Sequence, residues 1–204
     1  MAAVLLAVGC STQPPAGTSP QATGASPAAA GVSPPAGASL SAAFNATDTA
    51  WIQLMIPMAE RARLLTDLAP SRTADPALAA LAARLGSGLR EDERRLRALL
   101  ELSGVPDTRP HEGHDMPGMV ALTTIEKASA ARGHEFDEIL TEALRAHLTQ
   151  SRTLCAGEGA NGRAGTAKEL ATTIARNTAE QITWLDRLRP ARPGPDGTTA
   201  RPGP

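Results

Sequence analysis

The 204-residue chain has no tyrosine, two phenylalanines and two tryptophans, and its formal net charge is -1. Nucleic-acid binding calls for a basic surface and rings on which bases can stack, so this composition argues against a nucleic-acid partner. Cysteine is almost as scarce. Cys10 and Cys155 are the two present, which leaves zinc without a closed Cys and His set. No glycine-rich phosphate loop follows a strand pattern, and no nucleophile, base and orienting group can be assembled, so an enzyme is not expected. The paired Glu-x-x-His motifs of carboxylate di-iron bundles are absent from the long helical segments, which argues against an oxidase. Charge is missing altogether from Ser11 to Ala43, a stretch of Pro, Ala, Gly, Ser and Thr. It carries too little large apolar surface to offset chain entropy and reads as a disordered linker. Residues 190–204, rich in Pro and Gly, read as a tail of the same kind.

The first ten residues, MAAVLLAVGC, form a short apolar run ending in a small residue and Cys10. This is the pattern of a lipoprotein-type signal remnant, with Cys10 as the acylated residue, although the basic segment of a secretory signal is missing. The alternative is a frayed apolar terminus. The run is too short to span a bilayer as a helix. Acylation at Cys10 implies an extracytoplasmic protein whose partner is the lipid bilayer, held off its surface by the linker. With Cys10 acylated, Cys155 has no intramolecular partner and is either a buried thiol or an exposed redox liability.

Residues 44–189 carry helical periodicity and no competing alternation of period two. Asn45 or Thr47 can cap a helix bearing Trp51, Leu54, Met55, Met58, Ala62 and Leu65 at spacings of three and four. Pro57 falls inside this segment, where it removes a backbone hydrogen bond and is expected to kink the helix beside Met58. Asp75-Pro76 starts a second helix with Leu78, Leu81, Leu85, Leu89, Asp92, Leu96 and Leu99 on its stripe. Arg90 to Glu101 reads as a solvated, charge-rich face of that helix. A short helix from Thr123 to Arg132 is stopped by Gly133. A third long helix carries Phe136, Ile139, Leu140, Ala143, Leu144, His147, Ser151 and Leu154, and a fourth carries Leu170, Ile174, Asn177, Gln181, Trp184 and Leu188. The expected fold is an all-α, antiparallel four-helix bundle built from two repeated helical hairpins. Met58 and His147 hold corresponding positions in the two halves. Asp92, Asn177 and Gln181 fall on inward stripes and call for polar partners, which His147 could supply.

Three stretches carry a family resemblance: FNATDTAWIQLMIPMAERA from Phe44, the loop HDMPGM, and FDEILTEALRAHL from Phe136. They resemble the bacterial domain-of-unknown-function 305 family. That resemblance implies a ferritin-like helical bundle, often exported, with copper binding in some members through His-His pairs in each half. Here the first pair falls on Met58 and Ala59, and the second on His147 and Leu148. The scaffold residues Phe44, Asn45, Asp48, Met55, Ile56, Pro57, Glu60, Phe136, Asp137, His147 and Glu180 match, and most of the ligand signature is lost.

Copper(I) accepts few, soft ligands, for which thioether and imidazole are suited. HEGHDMPGM, from His111 to Met119, places His111, His114, Met116 and Met119 in a loop between the hairpins. Met58 and His147 are a second candidate pair, facing each other in the bundle. The function expected is weak transition-metal binding at the cell surface. Against it stand two plain readings: the loop is a Pro-Gly turn, and Met58 and His147 are core residues. In that case the protein is an envelope interaction or structural module that keeps the bundle alone.

Overall fold

The structure is a computed structural model and describes residues 43–188. Cys10, the 11–43 linker up to residue 42 and the 190–204 tail lie outside the described residues. Five helices, and no strands, are found among the described residues: α1 (Ala46–Arg72), α2 (Pro76–Ser103), α3 (Leu122–Ala130), α4 (Gly133–Asn161) and α5 (Gly165–Arg187).

Local chemistry accounts for the helix ends. Asn45 caps α1: its side chain accepts from the Asp48 N–H at 3.0 Å while Asp48 accepts from the Asn45 N–H, a reciprocal capping box. Asp75 caps α2 by accepting from Ala77 and Leu78 N–H groups ahead of Pro76. The α2 helix ends on Gly104 at φ +71° (a left-handed cap that glycine adopts without Cβ strain). Gly133 behaves differently from the sequence expectation. The short helix already ends at Ala130, capped by Ala131 with extended backbone, and Gly133 is instead the first residue of α4. Pro57 and Pro70 both sit within α1, which continues unbroken past them. Buried packing around Pro57 holds the helix where local hydrogen bonding is weakened.

Short links, 73–75 and 162–164, join α1 to α2 and α4 to α5, and within each pair the helices pack extensively as hairpins. α1 also packs on α4 and α2 on α5, which closes the set of four long helices around one interior. That interior holds two apolar clusters. One gathers Leu65, Leu81, Leu85, Phe136, Leu140 and Leu185, and the other Trp51, Ile52, Met58, Leu96, Leu170 and Ile174.

The α5 face is rotated from its expected stripe. Leu170 and Ile174 are buried as expected, but Thr178 and Leu185 follow them inward, while Asn177 is exposed and Trp184 only half-buried. Ala167 and Ala171 are buried beside Leu170 and Ile174, and these small residues centre the face toward Thr178 and Leu185, so that Asn177 and Trp184 fall at its edge. Trp184 lies at the edge, where the Arg84 guanidinium stands 5.3 Å from its ring centroid.

The charged face of α2 is also less free than its composition implies. Arg97 pairs with Glu60 on α1 and with Asp107 at 3.1 Å, and Arg109 pairs with the same Glu60 at 2.7 Å. Arg90 reaches Asp67 at 2.9 Å and Arg63 reaches Glu93 at 3.5 Å. These pairs tie α1, α2 and the following loop together on the solvent side.

Candidate functional site

The two apolar clusters meet at a cavity of about 20 Å³ inside the bundle, with polar groups on its wall. α1 contributes Met55 and Ala59, α2 Leu89, Asp92 and Leu96, α4 His147, Leu148 and Ser151, and α5 Ile174, Thr178 and Gln181. His147 is 3% exposed, and its Nδ1 has no hydrogen-bond partner among the described residues; the Ser151 hydroxyl is likewise unpartnered. Burial drives the His147 imidazole down to about 4, against a backbone hydrogen bond with Gly118 that favours the charged form. The ring is therefore neutral through the physiological range, the form that ligates a metal. Burial also raises the Asp92 carboxyl to about 6, with Arg95 opposing and Glu91 adding to the shift.

The lowered His147 pKa makes a prediction about acid. A histidine whose folded pKa lies below 6.5 contributes stability that is full above 6.5 and is lost as pH falls from there through 4. Between pH 7 and pH 4 the wild type should lose up to about 3 kcal/mol more unfolding free energy than His147→Leu. Urea denaturation of both proteins at the two pH values measures the difference. Equal losses would show that His147 is not the titrating group.

The loop of residues 104–121 is docked on α1 and α4. Arg61, 7% exposed, donates to the backbone carbonyls of His114 (3.3 Å) and Val120 (3.5 Å) and to Asp115 (3.2 Å). Met116, Pro117, Gly118 and Met119 form a turn closed by the Met119 N–H to Met116 carbonyl bond at 2.9 Å. Pro and Gly occupy its central positions, with Gly118 at φ +75°, as a type II turn requires. Gly118 also lies against α4: a Cβ there would come within 2.2 Å of the Gln150 Cβ and 3.0 Å of the Ala146 carbonyl oxygen.

The donors expected to act together differ in burial. Met119 is buried in the cluster that holds Met55 and Met58, Met116 packs against it half-buried, His111 is half-buried and His114 is exposed. Met58 is completely buried but does not line the cavity; Met55, one turn earlier, does. Thus His147 shares a wall with Met55 rather than with Met58. Among the described residues no three His, Cys, Asp or Glu side chains cluster as a metal site of those donors would need. Cys155 is buried and its thiol is pushed up to about 12, chiefly by burial, which removes it from thiolate chemistry.

Thr178, Arg61 and Glu158 were not singled out by the sequence as site or core residues, yet the signal existed. Arg61 lies three positions beyond Met58 and four before Leu65, on the buried stripe, and Glu158 lies three beyond Cys155. A charge at an inward position calls for a partner.

Architecture and site together define a helical-bundle protein with a small interior cavity whose largely apolar wall carries a few polar groups. The profile of the family described as Domain of unknown function (DUF305) matches residues 48–189, and the chain belongs to that family. No curated protein matches it. Among solved structures it is similar to a Streptomyces coelicolor protein described as a secreted DUF305 protein, with 18% identity and a TM-score of 0.63. That similarity covers 70% of this chain and 91% of the other, and at this identity it supports the shared fold.

Proposed function

We propose that this protein is an extracytoplasmic, lipid-anchored helical bundle that binds a soft transition-metal ion, copper(I), weakly at the centre of the bundle. One observation carries the reading: the neutral His147 imidazole has an unpartnered Nδ1 and lines the same cavity as the Met55 thioether. Imidazole and thioether are donors that copper(I) accepts at low coordination number. The fit is to a two-donor soft site. Ala59, at a position where the family pattern carries histidine, offers no donor, which is consistent with weak binding.

A bound ion would supply a reversible store of copper; His147 and Met55 would hold it. A Gly118 contact with His147 ties the loop to α4, and the partly exposed His111 and exposed His114 would be the donors that an ion arriving from solvent could meet. Export is supported by the relative described as secreted, and the anchor by the MAAVLLAVGC pattern ending at Cys10. Among the described residues no helix is long and apolar enough to cross a membrane.

The test is an anaerobic copper(I) titration of the full chain against a competing chelator. Binding at one equivalent, weakened at least about ten-fold by His147→Ala or Met55→Leu, is the expected result for interior ligands. Binding lost in a His111→Ala/His114→Ala variant and retained in the interior variants would move the site to the loop. Competition no better than buffer would overturn the metal reading.

A second reading has its own support. Asp92, Ser151, Thr178 and Gln181 line the same cavity, whose volume suits one water molecule with several polar partners. On that reading the cavity is a polar network that fixes helix register, and the bundle serves as a non-metal envelope module.

A further inference from the structure

The turn between α4 and α5 closes over two carboxyl groups far in sequence from each other. Asp48 is completely buried, and its Oδ1 accepts from the N–H groups of Arg163 (2.9 Å) and Ala164 (3.0 Å), while Oδ2 accepts from the Asn45 N–H (2.5 Å). Three backbone donors converging on one carboxyl group favour its ionised form. Burial alone would raise the Asp48 pKa, but these bonds outweigh it and hold the group below its ordinary value.

Glu158, in the last turn of α4, is 1% exposed, and its carboxyl group lies against Gly162, next to the Arg163 and Ala164 N–H groups that Asp48 holds. Neither of its oxygens meets a donor among the described residues. Gly162 makes room for it: a Cβ at that position would fall 2.2 Å from Glu158 Oε1. Two buried carboxyl groups on one turn, one of them without a donor, are destabilised if both ionise, since carboxylates offer only acceptors. The Asp48 oxygens are already engaged by N–H donors, so the proton belongs on Glu158.

We propose that Glu158 and Asp48 form a proton-operated latch, which holds the α4–α5 turn on the first turn of α1 while Glu158 is protonated and loosens it when Glu158 ionises. The charged and titratable groups around Glu158 are Asp48 from α1, Lys168 from α5 and Cys155 from its own helix. Burial, then the hydrogen bond and charge of Asp48, raise Glu158 from 4.5 to about 7, and Lys168 opposes them. With the folded value raised, stabilisation is full below 4.5, declines as pH rises and is gone above 7. The latch therefore tightens in acid and slackens toward neutral and alkaline pH. This is independent of metal binding, because none of these residues lines the central cavity.

The full chain and its Glu158→Gln variant, whose amide donates at every pH, should be compared by urea unfolding from pH 5 to pH 8 and by amide hydrogen exchange. The expected result is a stability difference between wild type and variant that moves against the wild type as pH rises. Exchange at Arg163 and Ala164, corrected for intrinsic rate, should accelerate about ten-fold more in wild type than in the variant between pH 6 and pH 8. Parallel stability profiles with unchanged local exchange would overturn the latch. Should the variant fail to fold, carbon-13 NMR of the wild-type carboxyl groups decides: a Glu158 midpoint near 7 supports the latch, and one in the ordinary glutamate range overturns it.

Discussion

Asp48→Ala is expected to lower stability by about 4 kcal/mol, the largest loss from any single polar substitution here. The side chain completes the α1 capping box and accepts from two N–H groups of the α4–α5 turn at 2.9 and 3.0 Å. Removing it strands these donors in the interior, where an unmade hydrogen bond to a former anion costs more than the made bond contributed. Thermal unfolding should shift down by roughly 10 °C for a domain of this length. Asp48→Asn is a useful companion, since it retains an acceptor without the charge and should lose clearly less. A fall of 1 kcal/mol or less for the alanine variant, measured by urea unfolding, would mean that water replaces the carboxylate at this end of the bundle.

Gly118→Ala should cost about 3 kcal/mol and act on the loop first. Two independent penalties coincide at this position. The backbone φ of +75° is strained for any residue with a Cβ, and the added carbon would collide with Gln150 and the Ala146 carbonyl. The Gln150 side chain can yield; the helix backbone at Ala146 cannot yield easily. Relief by lifting the loop off α4 would withdraw Gly118 from His147 and expose Met119. The variant should show faster proteolysis between residues 104 and 121 and an upward shift in the His147 pKa as water reaches the ring, readable by proton NMR titration. A variant with wild-type protease resistance and an unmoved His147 resonance would show that the docked turn tolerates the carbon.

Much of this architecture was legible in the sequence because helix chemistry is local. Asp75-Pro76 marked the start of α2 to the residue, and the Leu78, Leu81, Leu85 and Leu89 stripe is buried throughout. His147 was expected inside the bundle for the same reason, and Asp92 and Gln181 do share its cavity. The errors have physical causes. Following the large side chains alone puts Asn177 inward, whereas the small Ala167 and Ala171 belong to the buried face and centre it on Thr178. HEGHDMPGM is a compact motif in one dimension, but its turn is folded onto α4 by Arg61 and by the room Gly118 leaves. That docking buries Met119 and leaves His114 exposed. Met55, one turn before Met58, is the methionine that lines the cavity with His147.

The shortage of aromatic residues has an optical consequence. With no tyrosine in the chain, ultraviolet emission belongs to Trp51 and Trp184, which pack against opposite apolar clusters. Trp51 is enclosed beside the Cys155 thiol, while Trp184 is half open to solvent beneath the Arg84 guanidinium. One indole thus emits from a dry, sulfur-neighboured environment and the other from a wet, cationic one. Their separate spectra allow each half of the interior to be watched melting without attaching a dye.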